Sequence, residues 1–332
     1  MGKWKAFLMR LLIILLLIVC FSSMALIIVE YMEPGTLQST NVYAGAVHIL
    51  KEVKSGWNQI LHKLSAEVGQ HGEEDSDIGG RGSGVINILL IGQDRRPGEE
   101  SGRSDSMILC TFRPKDKTLV LTSFLRDLYV KIPGHGSNRI NAAFRFGGQN
   151  LLKKTIASDF SVHIDGTVVV DFQQFAEIID LLGGVAIDLR ADEAEEINRA
   201  LNVRLQKGTQ TLTGEMALVY ARIRRLDADG DFSRTDRQRK ILSSLVQKVR
   251  NSDLKQLKEP AKKMLSKIDT DIGYLTALRI GSRILPMLKD MKIVSQQIPA
   301  SGEFEGRMID GMSVLVPDLE KTRKRLKDTL LP

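Results

Sequence analysis

The chain has 332 residues, a formal net charge of +7 and a hydrophobic fraction of 43%. This apolar content is enough for a substantial core, and the length suits one large domain or two ordinary ones. The net charge is moderate, and the sequence contains neither zinc-finger spacing nor an aromatic–basic RNA-binding motif. We therefore expect no nucleic acid as a partner. A basic balance also suits a protein that faces anionic lipid or an anionic polymer.

The N-terminal residues predict a membrane segment. Residues 11–29 contain no charged side chain, and this length crosses a hydrocarbon core of about 30 Å as a helix. Lys3, Lys5 and Arg10 precede the segment, so the positive-inside rule places residues 1–10 in the cytoplasm and the rest of the chain outside. A cleaved signal peptide is the alternative, but its apolar core is usually ~7–15 residues long. We therefore expect an uncleaved signal anchor and a single-pass protein of the cell membrane.

The remaining chain predicts a connector followed by one folded domain. Residues 30–84 combine a weakly periodic stretch, which suits a stalk helix, with a polar and glycine-rich linker. Strands are predicted at 85–91, 107–112, 118–124, 167–170, 185–189, 293–298 and 308–316. Helices are predicted at 150–158, 172–182, 212–221, 233–251, 273–289, 318–330 and in parts of 254–267. The alternation predicts a single α/β domain over 85–332, in which helices coat a mixed sheet.

The most informative segment is residues 222–238, which we call the arginine bend. Six arginines and four aspartates lie between Arg222 and Arg239. Guanidinium groups match phosphate oxygens two at a time, so the cluster suggests a site for a phosphorylated ligand. Asp231, Arg234 and Gln238 fall on one helix face, and Ser233 is expected to cap that helix. The alternative is a solvated face of surface ion pairs.

A second group of charged residues lies at predicted strand ends. Asp94 ends the first strand, and Arg103 and Asp105 open the second on the same side of the chain. Arg126 follows the third strand, at the sheet edge where ligands bind in open α/β folds. Two converging carboxylates suit Mg²⁺, which keeps most of its waters and takes phosphate oxygens. The alternatives are a strand cap, a turn aspartate and a surface pair of Arg126 with Asp127.

Together these motifs resemble the LytR-CpsA-Psr (LCP) family of membrane-anchored cell-wall phosphotransferases. The matching motifs stand in family order over a motif core of about 85–250, and they are Asn87–Asp94, Gly102–Ser106, Ser123–Asp127, Arg139–Ala143, Ile179–Val185, Leu218–Arg224 and Gly230–Gln238. Two positions depart from the family pattern. Leu125 stands where proline is frequent, and Arg139 stands where lysine is usual. Asn138 or Asn141 is expected to cap a helix that begins nearby.

The resemblance implies an enzyme that moves a glycopolymer, such as teichoic acid or capsule, from a polyprenyl-diphosphate lipid to a peptidoglycan hydroxyl. It implies Mg²⁺ as cofactor, with Mn²⁺ as the alternative, held by Asp94 and Asp105. The implied pyrophosphate contacts are Arg103, Arg126, Arg222, Arg224, Arg234 and Gln238, with Arg139 as an additional one. The implied catalytic residues are Arg126, Asp127, Arg222, Arg224 and Asp231, and Asp231 orients either the arginines or a metal-bound water.

Several alternatives stay open at this stage. The base for the attacking hydroxyl is an aspartate, and the sequence does not choose among Asp94, Asp105 and Asp127. Other readings are a polyprenyl-diphosphate pyrophosphatase and a membrane-tethered binder of wall polymer without enzymatic activity. A polyprenyl tail needs an apolar channel, for which the helices predicted at 150–158, 172–182, 212–221 and 236–249 supply side chains. The remaining charges of the cluster are interpreted as solvated, namely Arg225, Asp227, Asp229, Arg237 and Arg239.

Overall fold

The computed structural model describes residues 84–94, 102–227, 230–252, 263 and 268–331. Within these ranges no helix is long and apolar enough to cross a membrane. The predicted anchor at 11–29 and almost all of the predicted connector lie outside the described residues, so both stay predictions.

Twelve strands and seven α-helices are found in the described residues. The strands are β1 (Ile86–Asp94), β2 (Arg103–Arg113), β3 (Thr118–Phe124), β4 (Tyr129–Ile132), β5 (Gly136–Arg139), β6 (Gly166–Asp171), β7 (Val185–Leu189), β8 (Gly208–Leu212), β9 (Asp269–Thr270), β10 (Lys292–Ile298), β11 (Phe304–Ile309) and β12 (Met312–Pro317). The helices are α1 (Asn141–Phe160), α2 (Phe172–Leu181), α3 (Ala191–Leu201), α4 (Gly214–Arg222), α5 (Asp231–Asn251), α6 (Tyr274–Ile284) and α7 (Leu319–Leu330), and a 3₁₀ turn follows α6 at Leu285–Asp290.

A six-stranded mixed sheet forms the centre of the domain, in the order β10-β3-β2-β1-β6-β9. Strands β1, β2 and β3 pair antiparallel, and a tight turn at 114–117 joins β2 to β3. Strand β6 adds parallel to β1, and β10 adds parallel to β3. The carboxyl ends of β1, β3 and β6 therefore meet the amino end of β2 at one edge of the sheet. We call this edge the site edge.

Alternating side chains give the sheet two buried faces, as the mixed sheet requires. On the face that we call the cavity face, Ile88, Ile108 and Leu121 pack against α2, α5 and α6. On the opposite face, Leu89 and Leu109 pack against α1 and α7. A third core joins the β7–β8 hairpin to α3, α4 and α5. Helix α5 contributes residues to all three cores, and this packing fixes the position of the arginine bend.

Most predicted elements are confirmed, and the differences lie in the connections. The stretch predicted as one strand at 308–316 is two strands, because Asp310 and Gly311 have positive φ and form a tight hairpin turn. Strands β4, β5, β8 and β9 and helix α3 were not predicted. Helix α1 is longer than the prediction at 150–158, and non-helical backbone at Gly147 and Gly148 kinks it.

The predicted helix caps are wrong at two places. Helix α5 begins at Asp231, so Ser233 lies inside its first turn and Gly230 occupies the cap position. Helix α1 has no side-chain cap. The side chain of Asn138 instead accepts a hydrogen bond from the Arg139 backbone N–H at 2.8 Å. Short polar side chains find local backbone partners in loops as readily as at helix ends, which explains both errors.

Candidate functional site

An amphipathic cavity of about 590 Å³ lies between the cavity face of the sheet and helices α2, α4 and α5. Its polar end lies at the site edge and is lined by Asp94, Asp105, Ser106, Arg126, Arg222, Arg224, Arg225, Arg234 and Gln238. Its apolar part is lined by Leu90, Ile108, Val168, Val170, Phe175, Ile178, Leu218, Ile241, Leu242, Leu245, Val246 and Val249, among others. We use the terms polar end and apolar channel for these two parts.

Helix α5 sets the direction of the cavity. Its positions 234 and 238 line the polar end, and positions 241, 245 and 249 line the apolar channel one turn after another. A spacing of three or four residues keeps all of them on one helix face. The prediction that Asp231, Arg234 and Gln238 share a face is confirmed. The same face then continues as a hydrocarbon wall.

A β-bulge places Asp105 in the polar end. Gly92 pairs with Ser106 and Gln93 pairs with Ser104, so Asp105 has no partner on β1. In a regular strand Asp105 and Ser106 would point to opposite faces, but an extra residue turns the local side chains. Both residues consequently line the cavity. The close return of the chain also needs Gly102, since a Cβ there would lie 2.1 Å from the Asp94 carbonyl oxygen.

Arg126 is the most connected cation of the polar end. Its Nη1 donates to Asp105 Oδ1 at 3.0 Å, and its Nε lies 3.7 Å from Asp127 Oδ2 and 3.6 Å from Asp231 Oδ1. Burial acts to lower the pKa of Arg126, but the carboxylates of Asp231, Asp105 and Asp127 outweigh it and raise the pKa. Arg126 therefore carries a fixed positive charge that is shared among three carboxylates. It is not the simple surface ion pair with Asp127 that was the alternative interpretation.

Asp231 gathers the arginines of the bend. Its Oδ2 accepts from Arg234 Nη2 at 2.9 Å, and its Oδ1 lies 3.8 Å from Arg224 Nε. Arg224 also approaches Asp105 Oδ2 at 3.9 Å. The Arg234 side chain is only 3% exposed, and burial lowers its pKa, with further lowering by Arg224 and Arg126. These contacts support the role of Asp231 as an orienting group for arginines.

Buried arginine donors at this end are only partly satisfied. The Nε atoms of Arg126 and Arg234 are buried and have no hydrogen-bond partner among the described residues. An unpaired buried donor costs about 1–3 kcal/mol. An anion that reaches the polar end could offset this cost, so the site is built to accept negative charge.

Arg222 and Gln238 have supporting partners that the sequence did not reveal. The Arg222 guanidinium carbon lies 4.8 Å from the Phe172 ring centroid, in a cation–π arrangement. The Ser106 hydroxyl donates to Gln238 Oε1 at 2.9 Å, which orients the amide. Phe172 follows β6 directly, so its place at the site edge could have been foreseen from the strand end.

Asp127 and Arg139 form the outer flank of the site. Arg139 Nε lies 3.3 Å from Asp127 Oδ1, and Arg139 Nη2 donates to the Ser313 carbonyl at 2.6 Å. The Leu315 backbone N–H donates to the Asp127 carbonyl at 2.9 Å. The C-terminal strand β12 therefore supports this flank, although the sequence beyond residue 250 carries no chemical motif. Arg139 does not line the cavity within the described structure.

The carboxylates at the polar end fit a magnesium ion that is also held by a ligand. Asp94 and Asp105 both line this end, and no described residue forms an ion pair with Asp94. Among the described residues, no three His, Cys, Asp or Glu side chains form a cluster that could hold a metal alone. One or two carboxylates plus phosphate oxygens and water is the usual Mg²⁺ environment. The donor set therefore suits Mg²⁺ and does not suit an all-protein cage.

The remaining charges of the cluster are not uniformly solvated, which corrects the sequence prediction. Arg237 and Arg239 are 2% and 5% exposed, and Arg237 forms ion pairs with Glu193 and Asp227. Arg225 is exposed, as the solvated interpretation expects, although it also lines the cavity. Asp229 and the side chain of Arg103 lie outside the described residues.

The channel prediction needs a correction as well. Helices α2, α4 and α5 line the cavity, but Leu152 and Ile156 of the helix predicted at 150–158 pack on the opposite face of the sheet. Periodicity shows which residues of a helix are buried but not which face of a sheet covers them.

The fold matches a group of solved structures. A structure of TagT bound to LIIa-WTA aligns with a TM-score of 0.61 and 28% identity, covering 79% of this chain and 92% of that one. A structure of YwtF (TagT) with octaprenyl pyrophosphate bound aligns with a TM-score of 0.58 and 26% identity, covering 79% and 93%.

The family model LytR_cpsA_psr matches residues 52–329, and the chain belongs to the LytR-CpsA-Psr family. A relative in Bacillus subtilis (strain 168), the polyisoprenyl-teichoic acid–peptidoglycan teichoic acid transferase TagV, is 33% identical over 255 residues. The match covers 74% of this chain and 64% of that relative, so the chain spans less than two thirds of its length.

Proposed function

We propose that this protein transfers an anionic glycopolymer from a polyprenyl-diphosphate lipid to a hydroxyl of peptidoglycan. The observation that carries the proposal is the amphipathic cavity, which joins an arginine-rich polar end to an apolar channel. A polyprenyl diphosphate has the same division into a charged head and a hydrocarbon tail. The names of TagV as a teichoic acid transferase and of the TagT structure with octaprenyl pyrophosphate support this choice of substrate.

The chemistry of the proposed reaction is phosphoryl transfer. The peptidoglycan hydroxyl oxygen attacks the phosphorus next to the polymer, the bond from that phosphorus to the bridging oxygen breaks, and polyprenyl phosphate leaves. The hydroxyl proton passes to a carboxylate of the polar end. Positioning and neutralisation of spreading charge are the main contributions of a protein to this type of step.

The residues of the polar end divide these tasks. Arg126, Arg222, Arg224 and Arg234 hold the pyrophosphate oxygens in forked contacts, with Gln238 as a neutral donor, and Arg103 and Arg139 as further candidates. Asp231 keeps Arg224 and Arg234 oriented. Asp127 positions Arg126 and Arg139.

A magnesium ion is part of the proposal. Asp94 and Asp105 would hold it together with phosphate oxygens, and Mn²⁺ is the alternative ion. The ion would supply positive charge to the phosphate oxygens during transfer. The carboxylate that receives the proton is Asp94 or Asp105, which line the polar end, or Asp127, which lies next to Arg126.

The proposed location is the outer side of the cell membrane. A lipid-borne donor requires the domain to work next to a bilayer, which the predicted anchor at 11–29 would ensure. A reporter fused after Pro332 should be active only outside the cytoplasm, and activity restricted to the cytoplasm would contradict this location.

A transfer assay tests the proposed reaction. The full chain in detergent would receive a synthetic polyprenyl-diphosphate-linked saccharide, Mg²⁺ and peptidoglycan oligomers. We expect a covalent saccharide–phosphate–peptidoglycan product, and its yield should fall strongly in Arg224→Ala. Arg199→Ala is a matched control, because Arg199 is exposed on α3 and pairs only with its own helix.

The same assay separates the alternatives. Release of saccharide phosphate at equal rates with and without peptidoglycan would indicate a pyrophosphatase. Donor binding without any covalent product would indicate a wall-polymer binder. Either result would refute the transfer proposal.

A further inference from the structure

Arg237 is an arginine inside the fold with every nitrogen committed to protein. It is 2% exposed, and its Nε donates to Glu193 Oε1 at 2.8 Å. Its Nη1 donates to the Ile223 carbonyl at 3.1 Å, and its Nη2 donates to Asp227. It is absent from the lining of the amphipathic cavity. A buried cation with this full set of acceptors has a defined place and orientation.

Two of these contacts fall on the arginine bend itself. Ile223 stands between Arg222 and Arg224, directly after the end of α4. Carbonyl groups at a helix C-terminus lack partners within the helix, and the guanidinium of Arg237 supplies one to Ile223. The segment from Ile223 to Asp227 is therefore held at both ends by one side chain of α5.

A second layer of charges holds the contacts of Arg237 in place. Glu193 is 2% exposed on α3, and its Oε2 accepts from the Arg190 backbone N–H at 3.0 Å. Arg190 Nη1 donates to Asp227 Oδ1 at 2.8 Å, so two arginines hold Asp227. Burial acts to raise the pKa of Asp227, but hydrogen bonds from Arg237 and Arg190 outweigh it and keep the pKa below its usual value. Asp227 is therefore ionised at neutral pH.

We infer that Arg237 is a positioning residue, whose guanidinium holds the backbone between Arg222 and Arg224 so that both point to the pyrophosphate. The inference rests on the proposed function. One face of α5 carries Arg234 and Gln238 to the polar end, and Arg237 on the same helix holds the segment from Ile223 to Asp227. Helix α5 therefore fixes Arg234 directly, and it fixes Arg222 and Arg224 through Arg237. Arg237 acts through Arg222 and Arg224 and does not touch the substrate.

The test compares Arg237→Gln with a control on the same helix. Arg239 is 5% exposed, but its hydrogen bond to Asp236 stays within α5 and does not reach the segment from Ile223 to Asp227. We expect Arg237→Gln to lower kcat/KM for transfer about 10²-fold, the usual consequence of misplacing binding groups by about 1 Å. Arg239→Gln should leave kcat/KM within about threefold of wild type, even if both variants melt earlier.

Two further measurements separate positioning from general loss of structure. Hydrogen exchange should show that backbone amides of 223–227 lose protection in Arg237→Gln and keep it in Arg239→Gln. Affinity for inorganic pyrophosphate should fall about tenfold in the first variant only. Arg237→Lys keeps the charge but not the fork, so we expect it to recover part of the lost activity and part of the protection.

Several results would overturn the inference. Equal exchange and equal pyrophosphate affinity in the Arg237 and Arg239 variants would do so, whatever the melting temperatures. If Arg237→Gln does not fold, Glu193→Gln replaces it, since it weakens the same network at Nε and should show the same pattern to a smaller degree. Absence of transfer in the wild type would refute the proposed function instead, and the exchange and affinity data would still decide the role of Arg237.

Discussion

Replacing Arg126 with alanine tests whether the arginines of the polar end act on the ligand or only hold the fold. The guanidinium of Arg126 lies among three carboxylates, and the side chain is 23% exposed. Its charge therefore acts in a partly desolvated place, where contacts with phosphate are stronger than in water. We expect Arg126→Ala to remain folded and to lose most of its transfer activity.

The contacts of Arg126 indicate how much rate and how much stability the variant should lose. Loss of one preorganised donor for developing charge slows a reaction about 10²- to 10³-fold. Each carboxylate near Arg126 keeps a second arginine, and the surviving pairs are Asp105 with Arg224 at 3.9 Å, Asp127 with Arg139 at 3.3 Å and Asp231 with Arg234 at 2.9 Å. The free energy of unfolding should fall by only about 1–2 kcal/mol, which a domain of ordinary stability, roughly 5–15 kcal/mol, tolerates.

Single-turnover transfer with a labelled donor measures the rate, and thermal melting measures the stability. Arg199→Ala again serves as the control for removing an arginine. Transfer by folded Arg126→Ala at the wild-type rate would refute the idea that this arginine acts on the pyrophosphate. A variant that does not fold would show instead that the second arginines fail to compensate the carboxylates.

Three further predictions concern the apolar channel, a buried carboxyl group and the metal. Leu242→Trp, in the channel wall, should weaken binding of a long polyprenyl pyrophosphate about tenfold but leave inorganic pyrophosphate binding unchanged; calorimetry that shows equal losses for both would exclude the channel. Burial raises the pKa of Asp159 to about 6, so its ionised form destabilises the native state above that pH. Asp159→Asn should therefore raise the melting temperature near neutral pH, and the gain should fade as the pH falls from about 6 toward 4; a gain independent of pH would contradict this assignment. Chelation of Mg²⁺ should stop transfer by the wild type, and Asp94→Asn should weaken Mg²⁺ binding in titration calorimetry; full activity in chelator would remove the metal from the proposal.

Much of the fold could be predicted because its strands are short apolar runs between clear turns. The bounds of β3 and β7 were predicted to the residue. The polar residues at the carboxyl ends of β1 and β3 were expected at one sheet edge, because ligands bind at the carboxyl ends of strands in open α/β sheets. The hairpin of β4 and β5 was missed because its second strand, Gly136–Arg139, has no apolar alternation. Helix α3 was missed because charges cover most of its surface.

Several of the predicted site residues line the polar end of the cavity, but the sequence did not reveal how they contact one another. Spacing places Asp231 and Arg234 on one face of α5, but it does not reveal that Asp231 also meets Arg224. Strand alternation predicts that Arg103 and Asp105 lie on the same side of β2. It does not predict the β-bulge that changes the direction of the Asp105 side chain. Arg237 differs from the cavity-lining arginines of the bend because it is paired with Glu193, which is 44 positions away along the chain. Long-range pairing of this kind leaves no local pattern in a single sequence.

The aspartates of the polar end give the unliganded site its own counter-ions. Asp105 and Asp231 already occupy donors of Arg126 and Arg234, so an incoming anion must displace carboxylates rather than water alone. Two phosphoryl groups can displace more of these pairs than one. In the proposed reaction, transfer leaves a lipid monophosphate, and the aspartates can then form their ion pairs with the arginines again. The same competition between aspartates and ligand lowers the affinity for simple inorganic anions. In the proposed reaction, the internal ion pairs would therefore select for diphosphates on entry and favour the departure of the product.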